Sequence, residues 1–260
     1  MENLEKYAVI TGASSGIGWD LTLQLAQKGY SIVAVSNQAE KLKELEAQVK
    51  SNCGVGIDLV DCDLTEPTSA QYIFEFCTQK NLTIEVLVNN AGILVYGEVV
   101  DVKVETAREI LQLHMNTPAM LCRLFAAEMK NRGKGYILNV SSISAVMPYP
   151  TISLYGPTKT FLRHFTRALR MELKDAGVSV TCLIPGATAT ALYDTEKVDI
   201  PLALKLGVMK RPEEVARKGL NALFKKKAEC IPGLMNKFIM FLVRLVPYGL
   251  IAFIHKKVNH

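Results

Sequence analysis

Short apolar runs rich in valine and isoleucine recur along the chain, and longer segments of mixed polarity separate them. Each run is continuously apolar rather than alternating, which is typical of strands that are buried on both faces of a sheet. The pattern predicts strands at Tyr7–Thr11, Ser31–Val35, Val55–Asp61, Val86–Asn89, Tyr136–Val140 and Ser179–Ile184.

The segments between these strands place apolar side chains three or four residues apart, which predicts amphipathic helices. Buried strands that alternate with such helices predict an α/β fold, a Rossmann-type doubly wound parallel sheet in three layers, α/β/α. Ligands of this architecture bind at the carboxyl ends of the strands. The predicted helical faces comprise Ile17, Leu21 and Leu25; Leu42, Leu45 and Val49; and Phe161, Phe165, Ala168, Leu169 and Leu173.

The chain has no internal repeat, low-complexity tract or flexible linker, so we expect residues 1–260 to form a single domain. Its first residues are charged and run directly into the first predicted strand, which indicates no signal peptide and predicts a cytoplasmic protein. The six cysteines are scattered, with no CxxC pair. We therefore expect reduced, buried thiols and no metal site.

Charge is distributed unevenly along the sequence. The net charge is +5, and residues 201–260 carry 12 Lys and Arg against 3 Asp and Glu. We expect no nucleic-acid binding, because no recognition motif accompanies this basic charge.

A basic, apolar helical extension is predicted at 233–257. Its most apolar part is interrupted by Arg244 and Pro247, which leaves too few apolar residues for a helix that spans a membrane. Such a helix can associate peripherally with a membrane, or it can pack on the protein body or on a partner subunit. The sequence is consistent with both alternatives.

A glycine-rich turn, TGASSGIG, follows the first predicted strand and opens the first helix. Gly12 permits a sharp exit from the strand, Gly16 lets the backbone approach a pyrophosphate, and Gly18 allows the helix to pack closely on the sheet. The N–H groups of the helix N-terminus would face the phosphates, and Ser14 and Ser15 can add hydroxyl donors. The turn therefore predicts a dinucleotide site.

Three residues around the fifth strand have side chains suited to hydride transfer at a carbonyl. Tyr155 and Lys159 lie four residues apart and so share a helical face, and Ser142 follows the carboxyl end of the strand. A neighbouring ammonium favours ionisation of a phenol, so Tyr155 can donate a proton to the carbonyl oxygen or accept it in the reverse reaction. Ser142 would hydrogen-bond that oxygen, and Lys159 would also bind the nicotinamide ribose.

With these motifs the sequence resembles the short-chain dehydrogenase/reductase family, in its single-domain branch. It also contains the family's CDLT, NNAG, HMNTP and PGATAT segments. The resemblance implies a nicotinamide-dependent oxidoreductase whose catalytic residues are Asn116, Ser142, Tyr155 and Lys159. It implies that the cofactor is bound by Gly12, Ser14, Ser15, Gly16, Ile17, Gly18, Ser36, Asn37, Asp63, Leu64, Asn90, Ala91, Gly92, Tyr155, Lys159, Pro185, Gly186, Thr188 and Thr190.

Pro118 is expected to distort the helix that carries Asn116, because proline lacks an N–H and crowds the preceding turn. The distortion would leave a backbone carbonyl available to a water, which in the family links the lysine to solvent as a proton relay. We carry this role over to Asn116 as a hypothesis. We interpret His114 as a packed or surface residue.

Asp63 matches the family's acidic position beside the adenine. We expect a helix to begin at Glu66–Pro67 with Thr65 as its N-cap, which would leave Asp63 for the adenine.

The choice between NADP and NAD depends on the end of the second strand. An acidic residue there selects NAD in the family, and basic residues nearby select NADP. Ser36 stands at the acidic position, with Asn37 and Gln38 after it and Ser15 in the glycine turn. The missing carboxylate favours NADP as cofactor. NAD remains an alternative, because no arginine is present there.

A variable substrate lid is implied after PGATAT, at about 191–209. It is largely apolar, which favours a lipophilic ketone or secondary alcohol, such as a steroid, a fatty-acyl compound or another lipid. The basic C-terminus resembles extensions of hydroxysteroid-dehydrogenase-like members of the family. Family members commonly assemble through the helices after strands four and five, so we expect a homodimer or homotetramer.

Two other functions are compatible with the sequence. One is a reductase of polar carbonyl compounds. The other is a non-catalytic nucleotide-binding sensor or membrane-docking protein, against which the complete set of catalytic residue types argues.

Overall fold

Parallel strands form one central sheet in this computed structural model, which describes residues 5–146, 148–190, 192, 199–243, 246–247, 249 and 251. The strands are β1 (Tyr7–Thr11), β2 (Ser31–Ser36), β3 (Ile57–Asp61), β4 (Ile84–Asn89), β5 (Gly135–Val140), β6 (Val178–Leu183) and β7 (Glu229–Cys230). Their order is β3-β2-β1-β4-β5-β6-β7, so the winding reverses between β1 and β4. This confirms the predicted doubly wound parallel sheet.

Helices cover both faces of the sheet, which confirms the three-layer prediction. On one face Leu21, Leu45 and Leu220 belong to the cluster that contains Ile10 of β1, and on the other face Ile73 and Phe125 belong to the cluster that contains the neighbouring Val9. The helices are α1 (Gly16–Ala26), α2 (Ala39–Cys53), α3 (Ser69–Gln79), α4 (Val104–Leu111), α5 (Thr117–Arg132), α6 (Tyr155–Leu173), α7 (Ile200–Lys205), α8 (Pro212–Phe224) and α9 (Leu234–Val243).

The two-residue strand β7 was not predicted, because so short a segment carries no periodicity. It is held by pairing with Cys182 and Leu183 of β6. The guanidinium of Arg163 on α6 also donates to both carboxylate oxygens of Glu229, with its Nε at 2.9 Å and one Nη at 3.0 Å. Tertiary contacts therefore create this strand.

Helix α6 buries polar side chains beside part of the apolar face that the spacing predicted. Thr158, Lys159 and Thr166 are buried, whereas Phe161 and Phe165 are half-buried and stack on each other at 5.8 Å. The predicted apolar face is confirmed in part, since Leu173 is buried in the core and Phe165 and Leu169 pack against it. The spacing did not indicate the polar groups of the inner face, which bond to the strands.

Two asparagines lie side by side on neighbouring strands in the sheet interior. Asn89 of β4 and Asn139 of β5 are register partners, and the side-chain amide of Asn89 donates to the side-chain oxygen Oδ1 of Asn139 at 2.8 Å. The Asn139 amide then donates to the Thr166 hydroxyl at 2.9 Å, which donates to the Leu162 carbonyl of α6. The chain of bonds fixes β4, β5 and α6 relative to one another.

The predicted lid and C-terminal extension are described in part. Helix α7 lies in the lid segment and α9 in the extension, whereas residues 191, 193–198, 244–245, 248, 250 and 252–260 lie outside the described residues. None of the described helices combines the length and the apolar character that are needed to cross a membrane.

Candidate active site

A cleft of about 290 Å³ opens at the carboxyl ends of the central strands. Its lining includes nearly all of the predicted catalytic and cofactor-binding residues. Asn116 and Gly18 are the two predicted residues that do not line it. The nominated lining residues are Gly12, Ser14, Ser15, Gly16, Ile17, Ser36, Asn37, Asp63, Leu64, Asn90, Ala91, Gly92, Ser142, Tyr155, Lys159, Pro185, Gly186, Thr188 and Thr190.

The glycine turn has a backbone that other residues could not adopt without strain. Gly12 and Gly16 have positive φ angles of 65° and 53°. A side chain on Gly16 would meet the Thr190 methyl at 2.7 Å, and one on Gly18 would overlap the carbonyl oxygen of Gly12. The turn therefore brings its backbone close to the cleft and to the rest of the sheet.

The N-terminus of α1 opens into this cleft. Ser15 is its N-cap residue, yet no side chain caps the helix, so its first-turn N–H groups keep their capacity to bond an anion. The helix dipole adds positive potential at the same point. This arrangement fits a phosphate group.

Asn90 joins the turn to the end of β4. Its side-chain amide donates to the carbonyls of Thr11 and Gly12 at 3.1 and 3.2 Å, and its backbone N–H donates to the Thr11 hydroxyl at 3.0 Å. These bonds bridge β1 and β4, where the winding of the sheet reverses. Asn90 therefore shapes the cleft floor as well as lining it.

The far end of the cleft is uncharged around Ser36. The Ser36 hydroxyl is buried and donates to the Ser14 hydroxyl at 2.8 Å, and it accepts the Gln38 N–H at 3.2 Å. Asn37 and Gln38 are exposed beside it. No acidic side chain among the described lining residues adjoins this serine; Asp63 is the acidic member of the lining.

Asp63 lines the cleft and also has a local structural role. Its Oδ1 accepts both the backbone N–H and the hydroxyl of Thr65, at 2.9 and 2.8 Å. The next helix, α3, begins only at Ser69. The predicted helix start at Glu66–Pro67 is wrong, because Asp63 closes a turn there and Thr65 bonds to Asp63 instead of capping a helix.

Lys159 is deeply buried beside Tyr155. Its ammonium donates to the Val140 carbonyl at 3.2 Å and lies 5.7 Å from the centre of the Tyr155 ring. Burial lowers the pKa of Lys159 from 10.5 to about 8. The Ser141 hydroxyl donates to the Lys159 carbonyl at 2.8 Å and holds this part of α6 against the end of β5.

Ser142 follows the same strand end and is partly exposed to the cleft. Its hydroxyl oxygen accepts the Ser144 N–H at 3.2 Å, so the oxygen is oriented while its proton can be donated. The cleft thus contains a hydroxyl donor, a phenol and a buried ammonium in one lining.

The helix distortion predicted near Pro118 is present as a π-helical turn at Gln112–Asn116. Asn116 is exposed there, and its amide donates to the Gln112 side-chain oxygen at 3.0 Å. The residue of this turn that meets Tyr155 is His114, whose ring centre lies 5.6 Å from that of the tyrosine. The structure therefore does not bring Asn116 together with Ser142, Tyr155 and Lys159.

His114 is 1% exposed, so the packed alternative holds, but sequence reasoning missed its contact with Tyr155. A π-helical turn contains one residue more than an α-helical turn and so shifts which side chains face inward. The HMNTP segment shows where the distortion falls but not which of its residues faces the tyrosine.

A small second cavity of about 10 Å³ lies between the π-helical turn and the active-site lysine. Its lining includes His114, Thr117, Lys159 and Asn89, and the side-chain oxygen Oδ1 of Asn89 has no hydrogen-bond partner among the described residues. A volume of roughly 10–15 Å³ with several polar groups in its wall suits a single water. The predicted distortion and the lysine therefore adjoin the same small cavity, whose wall also contains apolar side chains such as Leu113 and Leu121.

Helix α9 supports the PGATAT segment from outside. Asn236 of α9 is buried against Gly186, where a side chain on the glycine would overlap the asparagine. The Asn236 amide donates to the Pro232 carbonyl at 2.6 Å. The first turn of the C-terminal extension thus packs directly behind the cleft, a contact that composition alone did not indicate.

The sheet and the cleft at its carboxyl edge define a Rossmann-type dinucleotide-binding protein. Residues 6–199 match the family model described as short chain dehydrogenase. The chain belongs to the short-chain dehydrogenase family, which confirms the resemblance drawn from its motifs.

Three similar proteins illustrate the relationship. The 17-beta-hydroxysteroid dehydrogenase type 3 of Danio rerio is 32% identical over 204 residues, which are 76% of this chain and 66% of that protein. The very-long-chain 3-oxoacyl-CoA reductase-B of Danio rerio is 33% identical over 206 residues, covering 76% of this chain and 65% of that protein. The solved short-chain dehydrogenase from Sphingobium yanoikuyae in complex with NADPH has a TM-score of 0.80 at 28% identity and covers 89% of each chain. The matched part is slightly less than two thirds of either curated relative.

Proposed function

We propose that this chain is an NADPH-dependent oxidoreductase that interconverts an apolar ketone and its secondary alcohol. The observation that carries the proposal is the single cleft lined by the glycine turn, Ser142, Tyr155 and Lys159. Membership of the short-chain dehydrogenase family supports the same reaction class.

The residues present fit a dinucleotide cofactor. The uncapped first turn of α1 and the crowded glycines Gly12 and Gly16 offer backbone N–H groups at a place that side chains cannot fill. Lys159 would hold the nicotinamide ribose, and Thr188 and Thr190 would face the carboxamide. Once bound, the nicotinamide supplies the hydride.

The protein's own groups would manage the proton and the carbonyl oxygen. The Ser142 hydroxyl would hydrogen-bond that oxygen, and Tyr155 would donate its phenolic proton to it as the carbon is reduced. The nearby Lys159 ammonium stabilises negative charge on the phenol oxygen in the low dielectric of the site. After this transfer Tyr155 needs a new proton. We propose that a water supplies it, in the small cavity beside Lys159 and next to a backbone carbonyl of the π-helical turn.

The decisive variant is Tyr155→Phe, because it removes the phenolic proton and keeps the ring. We expect its rate constant for ketone reduction to fall about 100- to 10,000-fold, the usual contribution of a general acid. The matched control is Tyr72→Phe on α3, where the ring is 51% exposed. If Tyr155→Phe reduces every ketone of a lipophilic panel as fast as the wild type, the proton-donor assignment is wrong.

Binding of the cofactor can be measured without turnover. Trp19 is the only tryptophan of the chain and shares a surface groove with Gly16 and Thr190. Its emission overlaps the absorption of reduced nicotinamide, so energy transfer from Trp19 reports NADPH or NADH binding. A sensor that binds NADPH but reduces no carbonyl compound would show energy transfer in both the wild type and Tyr155→Phe, with no turnover in either.

NADPH is the proposed cofactor because no carboxylate stands where the ribose 2′-phosphate would lie. Ser14, Ser36, Asn37 and Gln38 are uncharged hydrogen-bonding groups at that end of the cleft. The related dehydrogenase from Sphingobium yanoikuyae was solved with NADPH. Tighter binding of NADH than of NADPH in the Trp19 assay would contradict this choice.

A lipophilic substrate is proposed from the relatives and from the surface beside the cleft. The curated relatives are named for a hydroxysteroid and for very-long-chain acyl-CoA. In this chain Leu192 lines the cleft, and Leu202 and Leu206 of the lid segment are 49% and 63% exposed. A panel of steroid, fatty-acyl and polar ketones at matched concentration tests this; faster turnover of the polar compounds would favour the alternative.

We also propose a homodimer or homotetramer assembled through α4, α5 and α6. Val104, Leu111 and Met120 are large apolar side chains that are at least 40% exposed on α4 and α5. The half-buried Phe161–Phe165 stack lies on α6. Light scattering after size exclusion should give a dimer or tetramer; a monomeric wild type would contradict the proposal.

The outer face of α9 is proposed as a site of peripheral membrane association. Leu234, Phe238 and Phe241 follow helical spacing and are 82%, 61% and 62% exposed, and Lys237 is exposed between them. Anionic phosphatidylglycerol vesicles should sediment with the protein at low salt. Phe241→Ser should weaken the binding, whereas the control Val100→Ser, in a turn where Val100 is 81% exposed, should not. No sedimentation of the wild type at any salt concentration would contradict the proposal.

A further inference from the structure

His114 makes polar contacts with two separate parts of the active site. Its Nε2 accepts the backbone N–H of Ile93, just after the NNAG segment, at 3.0 Å. Its Nδ1 lies 3.0 Å from the hydroxyl of Thr158 on α6. The Thr158 hydroxyl in turn donates to the backbone carbonyl of Tyr155 at 2.8 Å. One imidazole therefore links the cofactor-side loop to the first turn of the helix that carries the proton donor.

The hydrogen-bond pattern assigns a single tautomer to this ring. A backbone N–H can only donate, so Nε2 must present its lone pair to Ile93. The proton of the neutral ring then sits on Nδ1 and is donated to the Thr158 oxygen. Because Thr158 uses its own proton for the Tyr155 carbonyl, each donor in the sequence of bonds meets an acceptor.

Protonation of His114 is opposed by its surroundings. A proton on Nε2 would face the Ile93 N–H, so that two donors would oppose each other. Burial and the nearby Lys159 ammonium also hold the pKa of His114 well below its usual value of 6.5. With both nitrogens engaged and the ring neutral, His114 is not suited to act as an acid or a base.

The space around the ring is tightly constrained. A side chain at Gly92 would come within 2.9 Å of the His114 Nε2 and 3.4 Å of the Lys159 Nζ. The imidazole and the Tyr155 ring form an edge-to-face pair at an interplanar angle of 74°. The ring thus fills the interval between the loop, the lysine and the tyrosine.

We propose that His114 is a positioning residue, which fixes Tyr155 relative to the cofactor loop through Thr158 and Ile93. This inference rests on the proposed function, because the position of Tyr155 matters only if its hydroxyl reacts. A misplacement of a reacting group by about 1 Å can lower a rate about 100-fold.

Variants that keep one of the two His114 hydrogen bonds and remove the other separate their contributions. His114→Asn can keep a donor near Nδ1 for Thr158, and His114→Gln can keep an acceptor near Nε2 for Ile93. Thr158→Val removes the bridge to Tyr155, whereas Thr158→Ser keeps a hydroxyl. We expect Thr158→Val and His114→Gln to lower kcat about 10- to 100-fold, with Thr158→Ser and His114→Asn closer to the wild type.

A purely structural role predicts a different result. In that case activity would decrease in parallel with thermal stability. Thr78→Val on α3 is the control, which measures the loss of stability when a threonine hydroxyl is removed from a helix. The Thr78 hydroxyl donates to the carbonyl four residues earlier, at 2.9 Å, and lies outside this chain of bonds. Under the proposal, NADPH affinity in the Trp19 assay stays within about threefold of the wild type while kcat falls. The double variant Thr158→Val with His114→Gln should be no slower than the slower single variant, because both break one connection.

Two measurements on the cofactor-free protein make the test independent of turnover. The ¹⁵N signals of His114 should show a neutral ring with its proton on Nδ1 throughout the pH range in which the protein is folded and active. The ¹³C-tyrosine signal of Tyr155, assigned by Tyr155→Phe, should move in Thr158→Val and stay in place in Thr158→Ser. This pair keeps the His114 ring and hence its ring current, so a shift reports movement of the tyrosine.

The outcomes distinguish this inference from the proposed function. A protonated ring, a proton on Nε2, or an unmoved Tyr155 signal in Thr158→Val would overturn the positioning role. A wild type that reduces no carbonyl compound would overturn the proposed function, and the two NMR measurements would still decide whether His114 positions Tyr155.

Discussion

Replacement of Lys159 by methionine should make the protein more stable while it abolishes activity. Lys159 is 4% exposed, and its ammonium has one hydrogen bond among the described residues, to the Val140 carbonyl. Methionine has nearly the length of the lysine stem and carries no charge. The variant therefore removes the buried charge and leaves most of the packing.

The magnitude follows from the pKa of Lys159. A decrease from 10.5 to about 8 means that folding at neutral pH costs about 3 kcal/mol through this group, at about 1.4 kcal/mol per pKa unit. Loss of the bond to Val140 offsets about 1 kcal/mol of that gain. We expect Lys159→Met to be about 2 kcal/mol more stable at pH 7, a rise in Tm of about 4–8 °C for a chain of this size.

The difference should depend on pH with a defined sign. Below about pH 8 the folded and the unfolded wild type both hold the proton, and the whole cost is present. As the pH rises from about 8 to 10.5, the folded protein releases the proton while the unfolded chain keeps it, so the wild type gains stability relative to the variant. Above that range this group contributes no difference.

Urea denaturation of the wild type, Lys159→Met and the surface control Lys130→Met, between pH 6.5 and 10, measures the effect. The control should stay within about 0.5 kcal/mol of the wild type. If Lys159→Met is less stable at pH 7, or if its difference from the wild type does not change with pH, the ammonium is not buried at a cost and the reasoning fails.

Three further variants test other parts of the structure. Gly18→Ala places a methyl group against the Gly12 carbonyl; it should lower stability by about 1–3 kcal/mol in urea denaturation and weaken NADPH binding, and an unchanged protein would contradict the close packing. Glu229→Gln leaves the buried Arg163 guanidinium without its carboxylate and should lower the free energy of unfolding by about 3 kcal/mol. The control Glu44→Gln, in an exposed ion pair, should lower it by less than about 0.5 kcal/mol. Equal decreases would show that burial of the ion pair does not matter here. Ser36→Asp places a carboxylate where the 2′-phosphate is proposed; the ratio of NADPH to NADH dissociation constants, from Trp19 energy transfer, should rise at least about tenfold, and a constant ratio would place the phosphate elsewhere.

The strands were predictable because a parallel sheet imposes a strong pattern. Strands such as β2 and β4 are buried at every residue, so selection for apolar side chains acts on both faces and leaves continuous runs. By contrast, Glu229–Cys230 forms a strand only because β6 and Arg163 are in place. A two-residue element that depends on distant partners has no local signature.

The cleft was largely predictable from motifs, since most of its members precede or follow a strand end. The exceptions lie where side-chain hydrogen bonds compete with regular structure. Asp63 binds Thr65 and closes a turn, which delays the helix that propensity places earlier. In the same way, the π-helical turn at Gln112–Asn116 shifts the inward face by a fraction of a turn and brings His114, not Asn116, to the tyrosine.

The amide pair of Asn89 and Asn139 fixes the vertical alignment of the two central strands. A slip of β5 by one residue would set Asn89 opposite a valine or a leucine and would strand polar groups in the dry interior of the sheet. The register of the strands below Ser142 and Tyr155 is therefore fixed by side chains that lie outside the cleft. Loops around the cleft can therefore change in sequence and admit other substrates, while the Asn89–Asn139 pair keeps the strand register and the positions of the reacting groups constant.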